Sequence, residues 1–130
     1  MSDKKILVVD DEAELRVLYS LMLPKEDYQV VCAASGEEAL EILGREKIYV
    51  MFLDLNLPGM NGVQLCKQIR QDEPFAYISA VTGYTSIFQL ADCRDAGFDD
   101  YFAKPFKREA IIRVAAHAFE RLDRWKGATE

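Results

Sequence analysis

Short apolar runs, most of them continuous, alternate along the chain with longer stretches of helical periodicity. The runs are Ile6–Val9, Tyr28–Ala34, Tyr49–Leu53, Tyr77–Val81 and Tyr101–Ala103. Continuous apolarity marks strands buried on both faces, as in a parallel sheet. Between the runs, Leu15, Leu18, Tyr19 and Met22 recur at helical spacing across Glu12–Leu23, and Pro24 stops that helix. Ser35 can cap a second helix, with Glu38 three residues on to complete a capping box, and it runs toward Leu43 and Gly44. Val63, Leu65, Cys66 and Ile69 mark a third over Gly62–Gln71. Thr85 or Ser86 can cap a fourth that ends near Gly97, and Arg108 to about Trp125 is the fifth and longest. Strand followed by helix, five times over, predicts a doubly wound α/β fold with a five-stranded parallel sheet and helices on both faces. No internal linker, repeat or low-complexity segment interrupts it, and Lys126–Glu130 reads as a frayed tail.

Composition narrows this picture. At 130 residues the chain suits one domain with one core. Half of the residues are hydrophobic, too many for a disordered chain. No apolar run is long enough to span a membrane, and the polar start Met1–Lys5 is not a secretory signal. The net charge of −6, without a basic block, argues against direct nucleic-acid binding. Cys32, Cys66 and Cys93 are odd in number and widely spaced, which predicts free thiols packed as small hydrophobes in a reducing, cytoplasmic setting. With His117 the only histidine, a nitrogen–sulfur metal site is not expected.

Ligands of an open parallel sheet bind outside the carboxyl ends of its strands. Those ends carry Asp10-Asp11, Asp54, Thr82-Gly83 and Lys104-Pro105. Three carboxylates, a hydroxyl and an ammonium would therefore meet at one edge. Crowded carboxylates repel, and a hard divalent cation relieves them; oxygen ligands favour Mg²⁺. A carboxylate can also attack phosphorus, and Lys104 and Thr82 can serve the phosphoryl oxygens. Taken singly, each residue has an ordinary explanation. Asp10 or Asp11 can cap a helix, Asp54 can open a turn, Thr82 can be a β-branched strand residue and Lys104 a surface lysine. Their coincidence at one predicted edge favours chemistry. Asp10, Asp11 and Asp54 alone account for half of the acid excess.

These residues resemble the receiver domain of bacterial two-component response regulators. Ile6-Leu-Val-Val-Asp-Asp-Glu12 resembles the family's acidic-pair motif, and Asp54-Leu-Asn-Leu-Pro-Gly-Met-Asn-Gly62 its phosphoacceptor motif. Gly97–Phe106 resembles its Gly-x-x-x-Tyr-x-x-Lys-Pro-Phe signature. The spacings Asp10–Asp54, Asp54–Thr82 and Thr82–Lys104 are 44, 28 and 22 residues, and the likeness covers roughly Lys4–Leu122.

The resemblance implies a flavodoxin-like fold with strand order 2-1-3-4-5, and a receiver domain over residues 1–125. It implies Asp54 as phosphoacceptor, with Thr82 and Lys104 binding the phosphoryl group. It implies Mg²⁺ held directly by Asp11, Asp54 and the main-chain carbonyl of Asn56, and by Asp10 through water. It implies a cis Lys104–Pro105 bond that aims the lysine inward. Tyr101 matches the switch aromatic, which moves into space vacated by Thr82 and remodels the Ser86–Ala96 helix, the Tyr101 strand and the last helix. Side chains at Asn56 and Tyr84 would border the path of the hydrolytic water, and a bulky Tyr84 would obstruct it. The implied partners are a sensor histidine kinase or phosphotransfer protein and a downstream protein target. The implied activity is self-phosphorylation and slow autodephosphorylation, without metabolic turnover.

Two other classes fit less well. A haloacid dehalogenase-type phosphatase wants an Asp-x-Asp nucleophile motif on its first strand and a cap, whereas here the pair is adjacent and no insertion is long enough. A flavodoxin-like cofactor binder wants a phosphate loop after strand one, where Asp10-Asp11-Glu12 would repel phosphate. The last helix adds one feature. Ile111, Ala115, Ala118, Leu122 and Trp125 form a stripe widened by Ile112 and Phe119, which outruns the expected core. That overhang offers a face for a phosphorylation-dependent dimer, a partner or a further domain.

Overall fold

The computed structural model describes residues 4–83 and 87–129, leaving aside the side chains of 87, 88 and 127–129. The strands are β1 (Lys5–Val9), β2 (Gln29–Ala33), β3 (Val50–Asp54), β4 (Tyr77–Thr82) and β5 (Asp100–Ala103). The helices are α1 (Ala13–Met22), α2 (Gly36–Leu43), α3 (Gly62–Asp72), α4 (Ile87–Ala96) and α5 (Arg108–Thr129). All strand pairs are parallel, in the order β2-β1-β3-β4-β5.

Alternation along each strand sorts the core into two layers. Leu7, Val9, Met51, Leu53 and Ile78 face α2, α3 and α4 through Ala39, Ile42, Leu65, Cys66, Ile69 and Ala96. Ile6, Val8, Val50, Phe52 and Val81 face α1 and α5 through Tyr19, Ile111, Ala115 and Ala118. The α5 stripe is thus fully buried as far as Ala118, and Phe119 and Leu122, half-buried, still pack against this layer. The helix then continues through the stretch expected to fray, as far as Thr129. The cysteines are free thiols, and burial pushes that of Cys66 up to about 12.

Local signals behave with two differences. Ser35 accepts from the Glu38 amide at 3.1 Å, but the Glu38 carboxylate reaches past Ser35 to the Ala34 amide. The reciprocal capping box is instead Asn61 with Gln64, at the start of α3. Arg70 fastens α3 to the end of α4: its guanidinium donates to the Gly97 carbonyl and pairs with Asp99 at 2.6 Å. Gly97, at φ +100°, supplies the left-handed turn that ends α4.

Candidate phosphorylation site

Register brings the expected residues to one edge. Val9 pairs with Leu53, Asp54 with Val81 and Thr82 with Ala103, so the residues at and just after these positions lie side by side. Asp10 and Asp54 are 1% and 4% exposed and Thr82 is fully buried, whereas Asp11 and Asn56 are exposed. Carboxylate oxygens of Asp10, Asp11 and Asp54 lie within 4.8 Å of one another. Lys104 Nζ bridges two of them, at 3.1 Å from Asp10 Oδ2 and 3.3 Å from Asp54 Oδ2. The Lys104–Pro105 peptide is cis.

The ordinary roles turn out to coexist with the cluster. Asp10 Oδ1 accepts from the Glu12 amide at 2.9 Å and steadies the entry to α1. Asp54 Oδ1 accepts from the Asn56 amide at 3.0 Å and so also shapes its turn. Each carboxylate spends one oxygen on the backbone and turns the other toward Lys104. The Lys104 amide donates to the Thr82 carbonyl at 2.7 Å, which ties the lysine's backbone to β4.

Electrostatics follow from burial. Desolvation raises the Asp54 pKa; the Asn56 amide and Lys104 oppose it, and Asp10 adds to the rise. For Lys104, burial lowers the pKa, but the hydrogen bond to Asp10 and the charges of Asp54 and Asp10 outweigh it, so the ammonium is held above its ordinary value. Below the site, burial and then the charges of Asp10 and Asp54 push the Tyr19 phenol well up.

Three contacts here were not foreseen. Asn56 Nδ2 donates to Thr82 Oγ1 at 3.1 Å, joining two residues 26 apart in sequence. The backbone of Gly62 packs so closely on Asp54 and Leu55 that a Cβ would meet the Asp54 carbonyl and lie 2.8 Å from Leu55 Cα. Tyr101 packs against Leu55, Ala80 and Cys93, and its hydroxyl is buried without a hydrogen-bond partner among the described residues. Tyr84, Thr85 and Ser86 lie outside the described residues, so neither the expected cap of α4 nor the side chain assigned to the water path is placed.

The family model described as the response regulator receiver domain matches residues 6–116. The chain belongs to this family. It is 40% identical over 115 residues to the alkaline phosphatase synthesis transcriptional regulatory protein PhoP of Bacillus subtilis, covering 88% of this chain and 48% of that protein. The chain therefore spans about half the length of that relative. It is 32% identical over 111 residues to sporulation initiation phosphotransferase F of the same organism, covering 85% of this chain and 90% of the relative. Among solved structures, a CheY-like receiver domain protein from Methanospirillum hungatei superposes with a TM-score of 0.86 at 28% identity, over 93% of this chain and 98% of that one. The chemotaxis protein CheY4 of Vibrio cholerae gives 0.83 at 29%, over 88% and 97%.

Receiver domains are phosphoacceptor switches of two-component phosphorelay signalling, working with kinases or phosphotransfer proteins and with downstream effectors. The two rival classes find no support in these likenesses. No helix among the described residues is long and apolar enough to cross a membrane.

Proposed function

We propose that this chain is switched by phosphorylation of Asp54. A carboxylate oxygen of Asp54 forms a bond to phosphorus, the donor's bond to that phosphorus breaks, and the donor group leaves with the electron pair. The donor is a sensor histidine kinase or phosphotransfer protein. Lys104, already paired with Asp54 Oδ2, neutralises phosphoryl oxygens, and the Thr82 hydroxyl donates to another. The single observation that carries the reading is the buried Asp10–Lys104–Asp54 bridge at the carboxyl edge of the sheet.

The site also fits Mg²⁺. Its donor set is three carboxylates within 4.8 Å, hard oxygen ligands of the kind this ion prefers. Asp10, Asp11, Asp54 and the main-chain carbonyl of Asn56 would hold it. Bound there, Mg²⁺ offsets negative charge between carboxylate and phosphoryl oxygens.

The phosphoryl group brings roughly −1.5 to −2 charge at pH 7. Thr82 turns toward it, and Tyr101 responds to the space left. The face of α4, the Tyr101 strand and α5 then presents itself to a downstream protein target, or to a second copy in a phosphorylation-dependent dimer. Attack by water returns the Asp54 carboxylate and releases phosphate; the side chains of Asn56 and Tyr84 set how fast. Residues 1–125 form the receiver unit, and the cytoplasm is its compartment.

The test is incubation with a small-molecule phosphodonor and Mg²⁺, followed by intact mass. The parent gains one phosphoryl group and Asp54→Asn gains none. Modification of Asp54→Asn at the parent's rate overturns the assignment.

A further inference from the structure

A cleft at the other end of the sheet has no part in the phosphorylation site. Its volume is about 610 Å³, inside the usual small-molecule range of about 300–1,000 Å³. Lys5 opens β1, Tyr49 directly precedes β3 and Phe75 lies two residues before β4, so the cleft sits at the amino ends of the strands, a strand's length from Asp54. Its other wall is Phe119 and Leu122, which are half-buried against the core, and Trp125, the exposed end of the α5 stripe.

The surface of the cleft is aromatic. Tyr49, Phe75 and Trp125 are 39%, 63% and 47% exposed, and the rings of Phe75 and Trp125 lie 5.3 Å apart. Exposed aromatics gathered in a concavity mark a place where a flat apolar body gains by leaving water. The rim is cationic: Lys4, Lys5, Lys47 and Lys126 line it against Asp123. This runs against a chain whose net charge is −6. Lys4 Nζ stands 5.7 Å from the centre of the Phe119 ring. Lys5 pairs with Glu46 at 3.0 Å and Lys47 with Glu73 at 3.6 Å, pairs exposed enough to exchange for a ligand anion.

We propose that this cleft binds a small planar aromatic anion of the nucleoside phosphate class. The base lies against the exposed rings of Tyr49, Phe75 and Trp125, and the phosphates meet the lysine rim. Stacking tolerates any base, so the cleft selects for a flat ring joined to an anion rather than for one nucleotide.

Trp125 is the chain's one tryptophan, so its fluorescence reads the cleft directly. The full chain is titrated with ADP in the absence of Mg²⁺, and in parallel with adenosine and with ribose 5-phosphate. ADP is expected to change the Trp125 emission saturably, with a Kd at or below about 1 mM, and either half alone to bind at least about tenfold more weakly. Lys47→Glu combined with Lys126→Glu is expected to weaken ADP about tenfold while thermal unfolding stays that of the parent. Asp54→Asn is expected to bind ADP as the parent does, which separates the cleft from the acidic edge. No saturable change by about 10 mM ADP, adenosine binding as tightly as ADP, or an affinity that falls with Asp54→Asn and not with the lysine pair overturns the proposal.

Discussion

Asn56 holds Thr82: the side-chain amide of the first donates to the hydroxyl of the second at 3.1 Å, across the edge where β3 and β4 end. Thr82 is the hydroxyl proposed to turn toward a phosphoryl group on Asp54. The bond therefore opposes that movement, by about 1 kcal/mol for a hydrogen bond of ordinary net strength. Asn56→Ala is expected to bind beryllofluoride, a phosphoryl mimic, about fivefold more tightly than the parent in the presence of Mg²⁺. Titration followed by fluorescence or calorimetry measures it, and equal or weaker binding means that the bond does not restrain the switch.

Asp54 also makes stability depend on pH. Burial raises its pKa above 3.8, so the folded state prefers the protonated acid. Its contribution to stability is then fully present below 3.8 and is lost as pH rises through the folded value. At neutral pH the ionised carboxylate opposes folding. Without divalent cation, Asp54→Asn is expected to be more stable than the parent near pH 7, with the difference closing as pH falls to about 4. Urea unfolding at the two pH values checks this; a parent that is the more stable near pH 7 contradicts it.

Gly62 gives a steric test of how Asp54 is placed. It opens α3, and its amide donates to the Leu55 carbonyl at 3.1 Å. A Cβ there would meet the Asp54 carbonyl and approach Leu55 Cα to 2.8 Å, backbone atoms that cannot rotate away. Gly62→Ala is expected to cost about 1–3 kcal/mol, the usual penalty of overpacking, and to slow phosphorylation by shifting Asp54. Denaturant midpoints and the intact-mass assay read the two effects; full stability together with full rate refutes the steric account.

Much of this was legible along the chain for a physical reason. Strands buried on both faces are mostly apolar, so Ile6–Val9 and Tyr49–Leu53 announce themselves, and the polar residue that closes each run marks the sheet edge. That is why Asp10, Asp54, Thr82 and Lys104 could be placed together. The contacts between those residues were not legible. Whether Asn56 offers its carbonyl, its amide or both depends on where Thr82 sits, 26 residues away. The Asn61–Gln64 capping box did have a local signal, an Asn three residues before a Gln, but that Asn also belongs to the phosphoacceptor motif. The cleft at the amino ends draws on residues from Lys4 to Lys126 and has no local signature at all.

Tyr101 offers the sharpest test of the resting state. Its ring packs on Leu55, Ala80 and Cys93, and its hydroxyl is buried with no partner among the described residues. Burial, followed by the neighbouring Cys93, pushes the phenol above its ordinary pKa, so the group stays a neutral, desolvated O–H. A buried hydroxyl without a partner costs about 1–3 kcal/mol, whereas the ring beneath it contributes by packing. Tyr101→Phe keeps the ring and removes the cost. It is therefore expected to stabilise the unphosphorylated protein by about 1 kcal/mol, while Tyr101→Ala destabilises it by about 3 kcal/mol. Denaturant unfolding of both variants decides the matter. If Tyr101→Phe is less stable than the parent, the hydroxyl has a partner in solution, and the inward packing of Tyr101 is already satisfied before any phosphoryl group arrives.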